Sequence, residues 1–120
     1  MNTPLPPGHA VANQMVLEGV LITPVDYRVT ATGRPLLWME LEHLSCHEQP
    51  DPELRLEVRM PVLAVGALAD RWRSLTPGCR LRVTGRLNQK RWVKDGKIRW
   101  GQMELVALEI DVFVKVDGAL

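Results

Sequence analysis

Apolar and polar residues alternate along most of this chain, and a period of two predicts β-strands. The clearest alternation covers residues 54–62, where leucine, valine and methionine take every second position. A second strict alternation covers 81–87, with arginine or threonine between the inward-facing positions. Further strands are predicted at 36–44 and 103–116. The stretch 15–22 is apolar on both faces, which predicts a strand covered twice or one at a subunit interface.

The segments between the strands carry helix and turn signals. Residues 63–75 favour a short helix, which Pro77–Gly78 ends. Asp95–Gly96, flanked by alternating residues, predicts a hairpin because a type I′ turn needs positive φ at both central positions. Residues 1–13 contain three prolines and no apolar period, so we expect a flexible arm ahead of a domain spanning 14–116.

This order of elements predicts an all-β fold, namely a five-stranded OB-fold Greek-key barrel with a short helix between strands three and four. The rival architecture is an SH3-like barrel, which lacks a helix at that position. OB-fold barrels bind oligonucleotides or oligosaccharides through one sheet face and the adjoining loops. A binding site is therefore expected in the loops or on an exposed face of the strands.

Length and composition indicate one ordinary globular domain. The chain has 120 residues, 46% of them hydrophobic and 24% charged, which suffices for a core without disulfides or a metal. Charged residues interrupt every apolar run before the roughly 18–20 residues that span a bilayer. The N-terminus has no basic stretch followed by an apolar one, so no secretory signal is expected. Cys46 and Cys79 are too few for a disulfide scaffold, and the expected location is the cytoplasm.

The formal net charge of +1 hides a strong polarity along the chain. Residues 1–69 sum to −4 and residues 70–120 sum to +5. Within 71–99 there are ten basic residues and one acidic residue, Asp95, which gives +9. Because a polyanion responds to the local field, this segment points to nucleic acid more strongly than the overall charge does.

The predicted hairpin is the richest candidate site, since its cations suit phosphates and its tryptophans suit unpaired bases. The cations are Lys90, Arg91, Lys94, Lys97 and Arg99, and the tryptophans are Trp92 and Trp100. Arg82 and Arg86 extend the basic surface along the preceding strand, while Arg28 and Arg34 flank the first turn region. The alternative interpretation is a solvated hairpin whose tryptophans pack on their neighbours or on lysine stems.

The register of the hairpin decides which way its tryptophans point. A two-residue Asp95–Gly96 turn pairs Trp92 with Arg99 and Arg91 with Trp100, so that the indoles lie on opposite faces. A three-residue turn puts both indoles on one face, and the sequence leaves both registers open. We expect Trp92 to be the exposed indole because it lies nearer the tip, with Trp100 close to the core strand.

Metal binding and catalysis have little support in the sequence. His43, Cys46 and His47 have metal-ligand side chains, but a four-ligand site needs a second pair and only Cys79 and His9 remain. The sequence contains no G-x-S-x-G motif, no phosphate-cradling glycine loop and no convincing carboxylate pair with a histidine. We therefore expect no metal, no other cofactor and no enzymatic activity.

Five short segments occur in the order and spacing of one known family. They are NQMVLEG at 13–19, TGRP at 32–35, LEH at 41–43, MPV at 60–62 and KDG at 94–96. On these segments the chain resembles the primosomal replication protein N (PriB) family. The resemblance implies a homodimeric OB-fold that binds single-stranded DNA and is related to single-strand binding proteins. It also implies work with a PriA-type helicase and other primosome proteins in restarting stalled replication forks.

The family's DNA contacts carry over to this chain only in part. Arg28, Arg91 and Lys94 match basic positions that resemble the family's DNA-contacting sites. Glu57 stands where the family's best-known form has a stacking tryptophan, and Leu44 stands where it has a basic residue. The two hairpin tryptophans are our candidates to compensate for these losses.

The leading functional hypothesis is a single-stranded DNA-binding accessory protein of the replication-restart primosome that stabilises PriA helicase on DNA. One alternative is a dimeric protein–protein adaptor with weak DNA contact, which the departures at Glu57 and Leu44 favour. Another is a general single-strand binding protein, although the C-terminal sequence VDGAL lacks the glycine-rich, acidic tail usual in that class.

Overall fold

In the computed structural model, residues 11–114 are described and form six strands and one short helix. The strands are β1 (Met15–Leu21), β2 (Asp26–Val29), β3 (Pro35–Cys46), β4 (Arg55–Val65), β5 (Arg80–Lys94) and β6 (Lys97–Val114), and the helix is α1 (Ala67–Trp72). The first ten residues of the predicted arm 1–13 and the last two of the predicted domain 14–116 lie outside the described residues. The described chain is mostly strand, as the all-β prediction requires.

All six strands belong to one sheet, and β1 closes that sheet on itself. The order is β1-β5-β6-β4-β3-β2, and β1 also pairs with β3 through Val20 and Leu21. β4 and β6 run parallel at Val62 and Leu63, whereas the other recorded strand pairs are antiparallel. The result is a small barrel in which β1 contacts a neighbour on each side.

A glycine allows β1 and β3 to cross closely where the barrel closes. A Cβ atom on Gly19 would lie 2.6 Å from the carbonyl oxygen of Glu42 and 3.1 Å from its carbonyl carbon. Both atoms belong to the backbone of β3, so a side chain here cannot be accommodated by a rotamer change. The absence of a side chain at Gly19 is therefore a condition of closure.

The structure has six strands where the sequence predicted five. Pro24 lies in the break after β1, and the chain then re-enters the sheet as β2, whose Arg28 pairs with Leu36. A strand of four residues is too short for alternation to reveal it. The helix consequently follows β4, and residues 63–65, which were expected in the helix, continue β4 against β3.

The barrel interior is an apolar core made by alternate residues of the long strands. The largest fully buried side chains are Leu21, Leu37, Leu41, Val62, Cys79, Leu81, Val83 and Leu105. Leu54 and Leu56 share one side of the alternating pattern with Val62, but they are 45% and 41% exposed. They lie at and before the start of β4, where the strand extends past the filled interior.

Helix α1 contacts β3, β4 and β6 and buries Ala69. The Tyr27 hydroxyl of β2 donates a hydrogen bond to the Asp70 carboxylate at 2.5 Å, and this bond raises the pKa of Tyr27. The bond joins the short edge strand to the helix. Within residues 11–114, α1 is not long and apolar enough to cross a membrane.

We expect Gly19→Ala to destabilise the fold by about 1–3 kcal/mol, the usual cost of forcing extra volume into a packed site. Thermal unfolding followed by circular dichroism measures this effect. Gln14→Ala, at an exposed position just before β1, is the control and should leave the melting temperature unchanged. Equal melting temperatures for the two variants would show that the crossing tolerates a side chain.

Candidate nucleic-acid interface

The β5–β6 hairpin extends past the barrel as a two-stranded arm, defined here as residues 90–101. β5 pairs with β1 only as far as Gly85, and β6 pairs with β4 only at Leu105 and Val106. Beyond those points the recorded partner of each strand is the other. Every residue from 90 to 100 is exposed.

The tip of the arm is a two-residue turn, which selects one of the two registers that the sequence left open. Lys94 pairs with Lys97, and the residues between them, Asp95 and Gly96, have φ values of 52° and 72°. Positive φ at both positions is the signature of a type I′ turn, whose twist matches that of the strands. Trp92 therefore pairs with Arg99, and Arg91 pairs with Trp100.

This register gives the arm two chemically different faces, because directly paired residues share a face and successive residues alternate. The basic face consists of Lys90, Trp92, Lys94, Lys97 and Arg99. The apolar face consists of Arg91, Val93, Ile98 and Trp100. Most of the predicted cations thus lie together, while Arg91 and Trp100 point the other way.

The basic face continues onto the outside of the barrel along β5. Arg82 and Arg86 are exposed and alternate with the buried Leu81, Val83 and Gly85, so they share the side of Lys90. Arg82 is partly neutralised, since its guanidinium donates to the Glu18 carboxylate at 2.8 Å from Nε.

Arg82 also contacts an aromatic ring, since its guanidinium carbon lies 5.0 Å from the centroid of the Phe113 ring. With one carboxylate and one ring as partners, Arg82 holds the β1–β5–β6 surface together in addition to adding positive charge. Arg86 is the arginine of β5 that lies nearest to the arm along the strand.

Trp92 packs against the arm itself. A Cβ atom on Gly101 would lie 2.5 Å from Cζ3 and 3.1 Å from Cη2 of Trp92, so the ring covers this glycine. Trp92 is 52% exposed and Trp100 is 61% exposed. Trp92 is thus exposed as expected, but the expected contrast with Trp100 is wrong, since Trp100 is the more exposed of the two. A register shift between Gln89 and Arg91 lies beside the glycine that Trp92 covers.

Arg28 and Arg34 lie at a distance from the arm along the sheet. Arg28 pairs with Leu36, which in turn pairs with Val65 at the end of β4, whereas the arm projects beyond the other end of that strand. Arg28 also forms an ion pair with Asp26 at 3.2 Å. Arg34 lies in the turn before β3, where its backbone N–H donates to Thr30 Oγ1 at 3.0 Å. These two residues are not part of the arm surface.

A groove of about 380 Å³ lies on the surface of β3 and β4. This surface contains the two positions at which the chain departs from the DNA contacts of the PriB family. Leu44 and Glu57 are direct cross-strand partners there. Beside them Arg59 Nη2 contacts Glu42 Oε2 at 3.1 Å, so this arginine is already paired with a carboxylate. The groove therefore offers phosphates a carboxylate-rich wall.

Trp38 is an aromatic residue of this surface that the sequence reasoning missed. It pairs with Leu63 and with Asp26, and it is half-buried between the buried Leu37 and Met39. Its place on the outward side follows from alternation with those two neighbours. The alternation of Trp38 with Leu37 and Met39 is the sequence signal that could have found it.

His43 and His47, two of the candidate metal ligands, make hydrogen bonds to other groups. His43 Nδ1 lies 2.6 Å from the Glu18 carbonyl oxygen, and its Nε2 lies 2.7 Å from Ser45 Oγ. Cys46 is exposed and Cys79 is buried. Within residues 11–114, no three His, Cys, Asp or Glu side chains are grouped to hold a metal ion, and His9 lies outside the described residues.

Residues 13–98, most of the barrel and arm, match the model of a family described as another single-strand binding protein family. The chain belongs to this family. It is a non-enzymatic binding class, which agrees with the prediction that the chain is not an enzyme. No curated protein matches the sequence.

Solved structures of single-stranded DNA-binding proteins share this fold. The small protein from Streptomyces coelicolor matches with a TM-score of 0.67 at 21% identity, over 87% of this chain and 97% of that one. The wild-type protein from Thermus aquaticus matches with a TM-score of 0.71 at 28% identity, over 86% of this chain and 50% of that one. This chain thus spans about half the length of the Thermus aquaticus chain.

The PriB protein from Ralstonia solanacearum is also similar in structure. It matches with a TM-score of 0.66 at 17% identity, over 86% of this chain and 100% of that one. The closed sheet is therefore of the OB-fold kind found in single-strand binding proteins, as the order of elements predicted.

We expect Gly101→Ala to displace the Trp92 ring, because the new Cβ would overlap it. The measurement is intrinsic fluorescence, where a more solvated indole should shift emission to the red and increase acrylamide quenching. The control is Gly101→Ala in a Trp92→Phe background, which should show neither change. The same shift in that background would assign the signal to another tryptophan.

Proposed function

We propose that this chain is a single-stranded DNA-binding accessory protein of the replication-restart primosome that stabilises a PriA-type helicase on DNA. The observation that carries the proposal is the basic face of the arm. Membership of a single-strand binding family supports DNA as the ligand. The five matching sequence segments and the shared fold with the Ralstonia solanacearum PriB protein support the restart role.

The basic face has the chemistry that binds single strands without sequence preference. Cations along a groove or ridge neutralise phosphates, and aromatic rings near them stack on bases. Four exposed cations surround Trp92 on one side of a projecting arm, and Arg86 continues their line onto the barrel. A single strand of DNA lying along β5 would therefore meet positive charge over the length of the arm.

A second candidate, a dimeric adaptor with weak DNA contact, is favoured by the groove on β3 and β4. There Leu44 and Glu57 replace the family's basic and aromatic residues, and Arg59 is held by Glu42. If the adaptor function is correct, the arm binds an acidic surface of a partner protein. A third candidate, a general single-strand binding protein, would bind DNA without prolonging the residence of helicase on a fork.

We also propose a homodimer built on β1. This strand bonds to β5 over residues 15–20, whereas its recorded pairs with β3 are limited to Val20 and Leu21. Val16 and Phe113, on the outer surface of β1, β5 and β6, are 54% and 53% exposed. A second copy would cover both the open edge and these side chains.

We expect Lys94→Glu with Lys97→Glu to weaken binding of dT oligonucleotides and to lower the salt slope. The slope should fall by somewhat under two, at about 0.7 for each phosphate contact with a single strand. Titration at several salt concentrations gives this slope. Arg71→Glu with Arg73→Glu, on and beside α1, changes the same charge away from the arm and is the control. Equal slopes in both variants would move the site off the arm.

The helicase role has its own test. The wild-type chain should lengthen the residence of a PriA-type helicase on forked DNA, and the arm variant should not. Wild-type binding to dT without any effect on the helicase would favour the general single-strand binding function. Helicase binding with no dT binding at low salt would favour the adaptor.

We expect the wild type to sediment as a dimer at micromolar concentration and Val16→Asp to sediment as a monomer, because the change places a charge in the covered surface. Analytical ultracentrifugation measures both. Leu54→Asp, at an exposed leucine away from β1, is the control and should remain a dimer. A wild-type monomer at this concentration contradicts the proposed interface.

A further inference from the structure

Three side-chain amides make hydrogen bonds where the arm leaves the barrel. Asn88 Nδ2 donates to Glu104 Oε1 at 3.3 Å, and Gln89 Nε2 donates to the Gly101 carbonyl oxygen at 3.0 Å. Both of these bonds join β5 to β6, which are already paired with each other. The amide of Asn13 is different, because it reaches β5 from outside the hairpin.

Asn13 makes two hydrogen bonds to one residue of β5. Its Nδ2 donates to the Leu87 carbonyl oxygen at 2.8 Å, and its Oδ1 accepts from the Leu87 backbone N–H at 2.9 Å. The backbone pairing of β1 with β5 stops at Met15 and Gly85, and the same register continued by two residues brings position 13 opposite position 87. The amide therefore makes the two bonds that one more backbone pair would make.

These two bonds lie at the root of the arm, which we define as the cross-strand pair of Leu87 and Leu105. On the β6 side, Leu105 pairs with Val62 of β4, so a neighbouring strand holds the root. On the β5 side, β1 begins only at Met15 and does not reach Leu87, which is half-buried at the edge of the core. The Asn13 amide thus supplies, on this side, the bonds that a strand supplies on the other.

We propose that Asn13 is a positioning residue whose amide fixes the direction in which the arm leaves the barrel. This inference rests on the proposed DNA binding by the arm. Residues 90–100 are exposed, and a two-stranded ribbon with few buried contacts opens or bends more readily than a closed barrel does. An asparagine side chain suits this role because one planar group carries both a donor and an acceptor. With its root fixed, the basic face of the arm stays in line with Arg86 on the barrel, so that one DNA strand meets both.

The first measurement concerns the arm in the absence of DNA, in Asn13→Ala and in Gln14→Ala as a matched control. Gln14 is exposed and carries the same amide group, but Leu87 bonds to Asn13. Loss of the two bonds should accelerate hydrogen exchange of the Leu87 amide by about 2- to 13-fold for each bond. Residual dipolar couplings of the arm amides should no longer fit one rigid body with the barrel in Asn13→Ala. In Gln14→Ala both measurements should match the wild type.

The second measurement is titration of dT oligonucleotides. The affinity of Asn13→Ala should fall by at most the factor by which Leu87 exchange rises, because only the fraction of arms in the binding orientation changes. The salt slope should keep its wild-type value, since no cation is removed. Asn13→Gln, which keeps the amide, should recover part of the affinity. Tyr27→Phe removes a hydrogen bond to Asp70 away from the arm, so it should lower the melting temperature without lowering the affinity.

Four outcomes separate this inference from the alternatives. Couplings that still fit one rigid body in Asn13→Ala would show that the arm keeps its direction without the amide, and they would overturn the inference. Equal losses of affinity in Asn13→Ala and Tyr27→Phe would assign the effect to stability and would also contradict it. A monomeric Asn13→Ala, where the wild type sediments as a dimer, would make Asn13 a subunit contact instead. Absence of dT binding by the wild type would reject the proposed function, while the exchange and coupling data would still decide whether Asn13 positions the arm.

Discussion

Closure of the sheet by β1 is the constraint on which the rest of the molecule depends. A six-stranded sheet with β1 between β5 and β3 can close only if β1 passes close to the β3 backbone, and Gly19 provides that passage. In the closed sheet, β1 pairs with β5 only as far as Gly85, and β4 pairs with β6 only at Leu105 and Val106. β5 and β6 are longer than these paired segments, so they continue beyond the barrel as a two-stranded ribbon. The arm is thus a consequence of a small barrel with two long strands.

The barrel also sets the electrostatic arrangement around that arm. β4 and β6 run parallel. The loop that precedes β4 and the arm, which contains the first residues of β6, therefore project from the same end of the barrel. Residues 47–57 carry four acidic groups and one basic group, for a net charge of −3, whereas residues 90–99 carry +4. A polyanion approaching this end is repelled by one hairpin and attracted by the other. If the chain binds single-stranded DNA as proposed, these charges direct the DNA along the arm and away from the β3–β4 groove.

Sequence reasoning found the features that depend on short-range pattern. Alternation identified the long strands, and Asp95–Gly96 identified the hairpin together with the two registers that it allows. It could not choose between those registers, because the difference is one residue in the turn. It could not anticipate the contact of Trp92 with Gly101 or the pairing of Glu42 with Arg59, which depend on cross-strand neighbours. Alternation puts Leu54 and Leu56 on the side of Val62, but it shows only which side a residue faces and not how far the core extends.

The two-residue turn has a consequence for how this arm can change during evolution. Faces in a hairpin are assigned by parity, so inserting one residue into either strand, with the two-residue turn kept, would exchange the faces of all the β6 side chains in the arm relative to β5. Arg99 would then lie on the side of Val93, and Trp100 would lie on the side of Lys94. Lengthening the arm by two residues, one on each strand, would preserve both faces. Relatives that keep a two-faced arm should therefore differ in arm length by even numbers of residues.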